Sequence, residues 1–150
     1  MKKIFIIFLI YFLSLGSLKA LIEVDITRGN LDPLPIAVSP LHVDIKSENY
    51  EGLNVKELGS NISSIIEKNF KSTGLFNPLK KDAFVQKPDI AHLKPRFEDW
   101  RLIKAQALVT GKLLVKDEKL KIEFRLWDLA AAKEMTALAF TTTPSNWRRV

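Results

Sequence analysis

At 150 residues the chain has room for one domain with a core of its own, and not for two. It contains no cysteine, which excludes disulfides, thiolate metal sites and cysteine nucleophiles. Its 23 basic and 17 acidic residues give a net charge of +6, a balance that would suit a nucleic-acid partner if the charges were evenly placed. They are not. Lys2 and Lys3 precede the apolar run from Ile4 to Leu13, and Ser14-Leu15-Gly16-Ser17-Leu18-Lys19-Ala20 follows it. This is the charged start, apolar middle and small-residue exit of a secretory signal peptide, with cleavage expected after Ala20. An uncleaved membrane anchor is the rival reading, but the run falls short of the ~20 apolar residues that a transmembrane helix needs. Without Lys2, Lys3 and Lys19 the charge falls to +3, too little to argue for nucleic acid. Residues 1–20 are thus read as a signal and residues 21–150 as one exported domain.

The exported part opens with Leu21 to Thr27, where Ile22, Val24 and Ile26 alternate with Glu23, Asp25 and Thr27 in the period of a half-buried strand. Arg28-Gly29-Asn30 breaks it, and Leu31 to Pro35 is a connector. Pro35 to Pro40 is a short apolar run bounded by prolines, read as a strand buried on both faces. His42 to Tyr50 is polar and irregular, and is read as a loop.

A long amphipathic helix follows. Asn54 caps it, Glu57 completes a capping-box pattern, and Leu58, Ile62, Ile65, Ile66 and Phe70 form one apolar stripe. Lys56, Ser60, Ser63, Ser64, Glu67, Lys68 and Lys71 are assigned to the solvated face. Gly74 suits the left-handed position beyond the helix end, and Phe76-Asn77-Pro78 starts a strand.

Lys80 to Arg96 has no periodicity and reads as loop, and Phe97 to Lys104 as a short second helix with Phe97, Trp100, Leu102 and Ile103 apolar. Ala107 to Lys116 is a strand with Gly111 marking a bulge or a close packing contact. After a turn at Asp117-Glu118-Lys119, Leu120, Ile122, Phe124 and Leu126 alternate with Lys121, Glu123, Arg125 and Trp127. A second turn at Ala130 to Lys133 leads to a strand over Met135–Thr143. Pro144 to Val150 reads as the first turn of a further helix, which suggests a truncated product. The expected fold is α+β, a two-layer sandwich in which a mixed sheet of about five strands, including an antiparallel meander, is covered on one face by two helices.

No catalytic chemistry emerges. His42 and His92 fall in separate predicted loops without a further ligand at metal spacing. Glu98 and Asp99 are adjacent on a helix and do not face each other, and suit its positive start instead. Ser72-Thr73-Gly74 lacks the surroundings of a nucleophile elbow, and Gly29 and Gly52 are isolated rather than part of a phosphate cradle. No catalytic, cofactor-binding or metal-binding residue is assigned, and the chain reads as a non-enzyme. Trp100 is assigned to the core. Trp127, on the polar face of its strand, and Trp147 are the candidates for contact with a partner or another domain.

Four segments carry a resemblance: Leu34 to Leu41 (LPIAVSPL), Phe70 to Leu79 (FKSTGLFNPL), Asp99 to Leu113 (DWRLIKAQALVTGKL) and Asn146 to Val150 (NWRRV). Together they resemble the N-terminal domain of the TolB family, periplasmic components of the Tol–Pal envelope system, across nearly all of residues 21–150. Ile26-Thr27-Arg28-Gly29 fits the family's mature start, whereas Ala37 replaces a family glycine. The resemblance implies a periplasmic interaction module acting in outer-membrane integrity and cell division. It also implies a TolA contact through the N-terminal strand, here Leu21, Ile22, Glu23, Val24, Asp25, Ile26, Thr27, Arg28 and Gly29. Read from the residues alone, that segment is an edge strand of the core; as a free strand it can instead pair with a partner's edge. In the family, the domain runs on past Trp147-Arg148-Arg149 through a full helix into a β-propeller that docks Pal. That contact is expected to be lost from this chain. The alternatives are a non-functional remnant of a split gene, and a small exported ligand-binding or hydrolytic domain using the loop Lys80 to Arg96.

Overall fold

The computed structural model describes residues 32–44, 49–50, 53–117 and 119–149. The signal segment and the Leu21–Thr27 strand lie outside the described residues.

A mixed sheet forms the centre. Its strands run in the order β5 (Phe76–Pro78), β1 (Leu34–Val38), β6 (Ala107–Lys116), β7 (Lys119–Asp128) and β8 (Lys133–Thr142), and β2 (His42–Val43) pairs with β6 off that path. Strand β1 is flanked by β5 and by β6, both parallel to it. Strand β2 prolongs the line of β1 along β6, beyond the break at Ser39-Pro40-Leu41. β6, β7 and β8 form the expected antiparallel meander. The α+β class and the meander stand as read, with six strands in the sheet among the described residues rather than about five. The loop expected over His42–Tyr50 contains β2 and also β3 (Asn49–Tyr50), which pairs antiparallel with β4 (Leu53–Asn54). Strands of two residues are too short to show a period, which is why a polar stretch concealed them.

Helix α1 (Val55–Ser72) begins where the capping pattern places it. The Asn54 side chain accepts a hydrogen bond from the Glu57 amide at 3.0 Å, satisfying one of the donors that a helix start leaves open. At the other end Gly74 adopts φ +71°, the left-handed position that costs a side chain strain. Leu58 and Ile62 pack against Leu113, Leu120 and Ile122, one face of the sheet. Ser63 departs from its assignment to the solvated face. It is fully buried, and its hydroxyl donates to the Gly59 carbonyl at 3.0 Å and toward the Ser39 carbonyl at 3.2 Å. A hydroxyl that satisfies itself on nearby carbonyls can be buried at low cost, and periodicity read from residue type alone does not register this.

The connection from Leu79 to Ala105 covers the opposite face. It is not featureless: it holds a 3-10 turn at Lys81–Ala83 and the short helices α2 (Pro88–Ala91) and α3 (Phe97–Leu102). Trp100 and Ala91 pack with Ala37, Leu108 and Trp127, residues of opposite parity to those under α1. The second predicted helix therefore lies behind the sheet, not beside α1. Gln86 pins the connection, because its buried side-chain carbonyl accepts from the Trp100 indole and from the Arg96 amide, both at 2.9 Å. Leu102, expected among the apolar contacts of α3, is 79% exposed.

Gly111 marks a close packing contact. An added Cβ would lie 2.5 Å from the Glu123 carbonyl oxygen and 2.5 Å from Leu41 Cδ2. The carbonyl belongs to a paired strand and cannot yield. Gly111→Ala is therefore expected to destabilise the fold by about 1–3 kcal/mol, read as a lowered urea midpoint; an unchanged midpoint would show that β6 and β7 have room to part.

Candidate functional site

The sheet is wider than the helix that covers its front. Five strands abreast span roughly 19 Å between outer axes, whereas one helix with its side chains is about 10–12 Å across. Helix α1 lies over β1, β6 and the Leu120–Ile122 part of β7, so among the described residues it is β8 that is left without a helix in front of it. The result is an apolar groove of ≈ 360 Å³. Ile66 and Phe70 of α1 form one wall, Phe124 and Leu126 of β7 the floor, and Leu138 of β8 the far side. Ile65, Leu138 and Phe140 are large apolar residues left exposed around it.

The groove's end is formed by the 3-10 helix Pro144–Arg149, where a first helical turn was expected. Trp147 packs there against the cluster under α1. The Arg148 guanidinium stands 5.2 Å from the centre of its indole, a cation–π distance. The polar side chains lining the groove are Asn69, Arg125, Thr136 and Arg148. None of these is a nucleophile or a general base at ordinary pH. Such a groove holds apolar surface and offers cations at its margin, but it carries no reactive group.

Trp127 is buried, not exposed as expected. Alternation places it opposite Leu126, as read, but that face is covered at this end of β7 by α3. Its indole is buried, lies edge-on to Phe97 and donates to the Thr110 hydroxyl at 2.8 Å. Burial removes the exposed placement on which its candidacy as a contact residue rested. Trp147 remains half-buried at the groove. The nine residues from Leu21 to Gly29 lie outside the described residues.

The two histidines, expected on separate surface loops, are brought together. Their rings stack with centroids 4.0 Å apart and planes within 1°. Nothing in their sequence surroundings links positions 42 and 92; the parallel pairing of β2 with β6 and the packing of α2 across the back do so. Beside His92 is a small cleft of ≈ 80 Å³ bounded by Gly111, Lys112, Glu123 and Arg125. A hydrogen bond from Lys121 holds the Glu123 carboxyl below the usual carboxylate range, against the opposing effect of burial. Among the described residues, no cluster of three or more His, Asp or Glu side chains could hold a metal ion. The loop Lys80 to Arg96, which would have to frame a ligand pocket in the ligand-binding alternative, contributes only His92 and Leu93 to this cleft and nothing to the larger groove.

The groove makes a contrast testable. Leu138, 54% exposed on its rim, should accept Lys with a stability change within about 0.5 kcal/mol. Leu113, fully buried beneath α1, should cost about 2–5 kcal/mol when cut to Ala. Chemical denaturation of the two variants checks both values. A large loss at Leu138 would mean that the groove is closed in solution.

Comparison with known proteins agrees with this architecture. Residues 22–135 match the model of the TolB amino-terminal domain. The chain is 69% identical over 133 residues to the Tol-Pal system protein TolB of Pelagibacter ubique (strain HTCC1062), a match that covers 87% of the chain and 30% of that relative. The chain thus spans about a third of the length of the curated relative. Among solved structures, TolB from Acinetobacter baumannii aligns with a TM-score of 0.56 at 17% identity, covering 79% of this chain and 25% of that one. The LpoB C-terminal domain from Escherichia coli aligns with a TM-score of 0.54 at 6% identity, covering 77% and 86%. At such identities these two likenesses speak for the fold alone. The family match and the close relative go further: the chain belongs to the TolB amino-terminal domain family.

Proposed function

We propose that the chain is a periplasmic protein–protein interaction module of the Tol–Pal system, acting in outer-membrane integrity and cell division without catalysis of its own. The observation that carries this reading is the 69% identity to a Tol-Pal system protein. Identity at that level supports a role in the same system. For the described residues, no helix is long and apolar enough to cross a membrane. The leader-like residues 1–20 support export.

The proposed partner is TolA, engaged through Leu21 to Gly29. All of these residues except Leu21 fall within the matched region. Alternating Ile22, Val24 and Ile26 would fix the register of a strand added to the partner's sheet edge, while the backbone supplies the hydrogen bonds. If the segment also docks on its own domain, a partner that takes only the free form shifts that equilibrium. Trp147 is proposed as an interdomain contact, since it is half-buried at the mouth of an apolar groove. Contact with Pal, which the family resemblance places in a propeller domain, is not proposed for these 150 residues.

Titrating the chain from Leu21 onward with the TolA C-terminal domain, followed by amide NMR, tests this reading. Shifts or broadening confined to residues 21–29, abolished by Ile22→Lys with Val24→Lys, are expected. A dispersed spectrum that does not respond would leave the fold intact and remove the function.

A further inference from the structure

We propose that the stacked His42–His92 pair is an acid-sensitive latch that holds α2 against β2 at neutral pH and releases it in mild acid. The rings lie face to face, 4.0 Å apart and parallel within 1°. Two neutral imidazoles, or one neutral and one charged, can stack in this way. Two imidazolium ions at that separation repel each other directly. The pair bridges separate parts of the chain, since His42 opens β2 and His92 caps the C-terminal end of α2.

Hydrogen bonding ties the second ring to its own helix. The Pro88 carbonyl lies 3.0 Å from His92 Nδ1, and a carbonyl can only accept. Nδ1 therefore carries the hydrogen, and Nε2 is left as the site for an added proton. A force on the His92 ring is thus passed to the turn that begins at Pro88.

The surroundings do not neutralise a doubly charged pair. Asp44 follows β2 and Asp89 lies on α2, and both favour a proton on His42. Lys112 of β6 opposes it. Around His92 the cleft adds Glu123 and Arg125 of β7 together with the same Lys112. Burial is the largest influence on His42, with the neighbouring His92 next, and together they hold its pKa below the ordinary 6.5 despite the two aspartates. The sign follows from this. With the rings stacked, His42 binds its proton less readily than when released, so stacking is fully favoured above about pH 6.5 and is lost as the pH falls through the lowered value.

The test uses the intact chain. Imidazole resonances and the amide exchange of Ile90, Ala91 and His92 are followed from about pH 7.5 to about pH 5. His42 should titrate below 6.5, and exchange in α2, corrected for its intrinsic pH dependence, should accelerate roughly fivefold or more over the same range. In His92→Gln the His42 midpoint should move back toward its ordinary value and the acceleration should disappear. Exchange in α2 that stays unchanged over this range, whatever the His42 midpoint, would overturn the proposal in the unmodified chain. So would an acceleration that persists in His92→Gln.

Discussion

Strand β6 is the constraint on which the remaining structure depends. It accepts parallel partners, β1 and then β2, along one side and the antiparallel β7 along the other. Both of its faces are covered, Leu113 lying under α1 and Leu108 under the Leu79–Ala105 connection. A strand in that position must be apolar on both sides, and Ala107-Leu108-Val109 satisfies this. Gly111 is where the requirement is strictest, because Leu41 descends on it from the β1–β2 break while the β7 backbone passes beside it. Only a residue without a side chain allows both approaches.

From that centre, order and cover diminish towards one edge. Strand β7 still buries Leu120 and Ile122, but along β8 every residue from Lys133 to Thr141 is exposed. From Met135 onward the strand carries no charge, and its two charged residues, Lys133 and Glu134, sit at one end. Sheet edges are commonly blunted by charge or covered by another element, and among the described residues β8 has neither along most of its length. The apolar groove is the same fact seen from the front: one helix covers about half of the sheet. A fold with a tightly packed side and an open side is well suited to recognition, since the first supplies rigidity and the second supplies accessible apolar surface.

Much of this was legible in the sequence. The long helix declared itself through Asn54, Glu57, the apolar stripe and Gly74, all of them local signals whose physics acts within a few residues. The meander was legible because ten-residue strands give the two-residue period room to show. What escaped notice depended on distant partners. Trp127 looked exposed because its neighbours Lys121, Glu123 and Arg125 are polar, yet a segment some thirty residues earlier in the chain covers that end of the face. Gln86 reads as a loop residue and serves as a buried clamp between Arg96 and Trp100. The histidine pair joins positions fifty residues apart, and no pattern along the chain could have brought them together. The resemblance to the TolB family rested on particular short segments, and the comparisons bear it out across most of the chain.

Amide hydrogen exchange across the sheet tests this gradient most directly. The inner amides of β6, and those of β1 and β7 that bond to it, are expected to exchange only through global unfolding, whereas β8 exchanges through local opening at much lower free energy. Protection in β8 equal to that in β6 would contradict it. The open edge and the groove would then be covered in solution, and the sheet would have no exposed side.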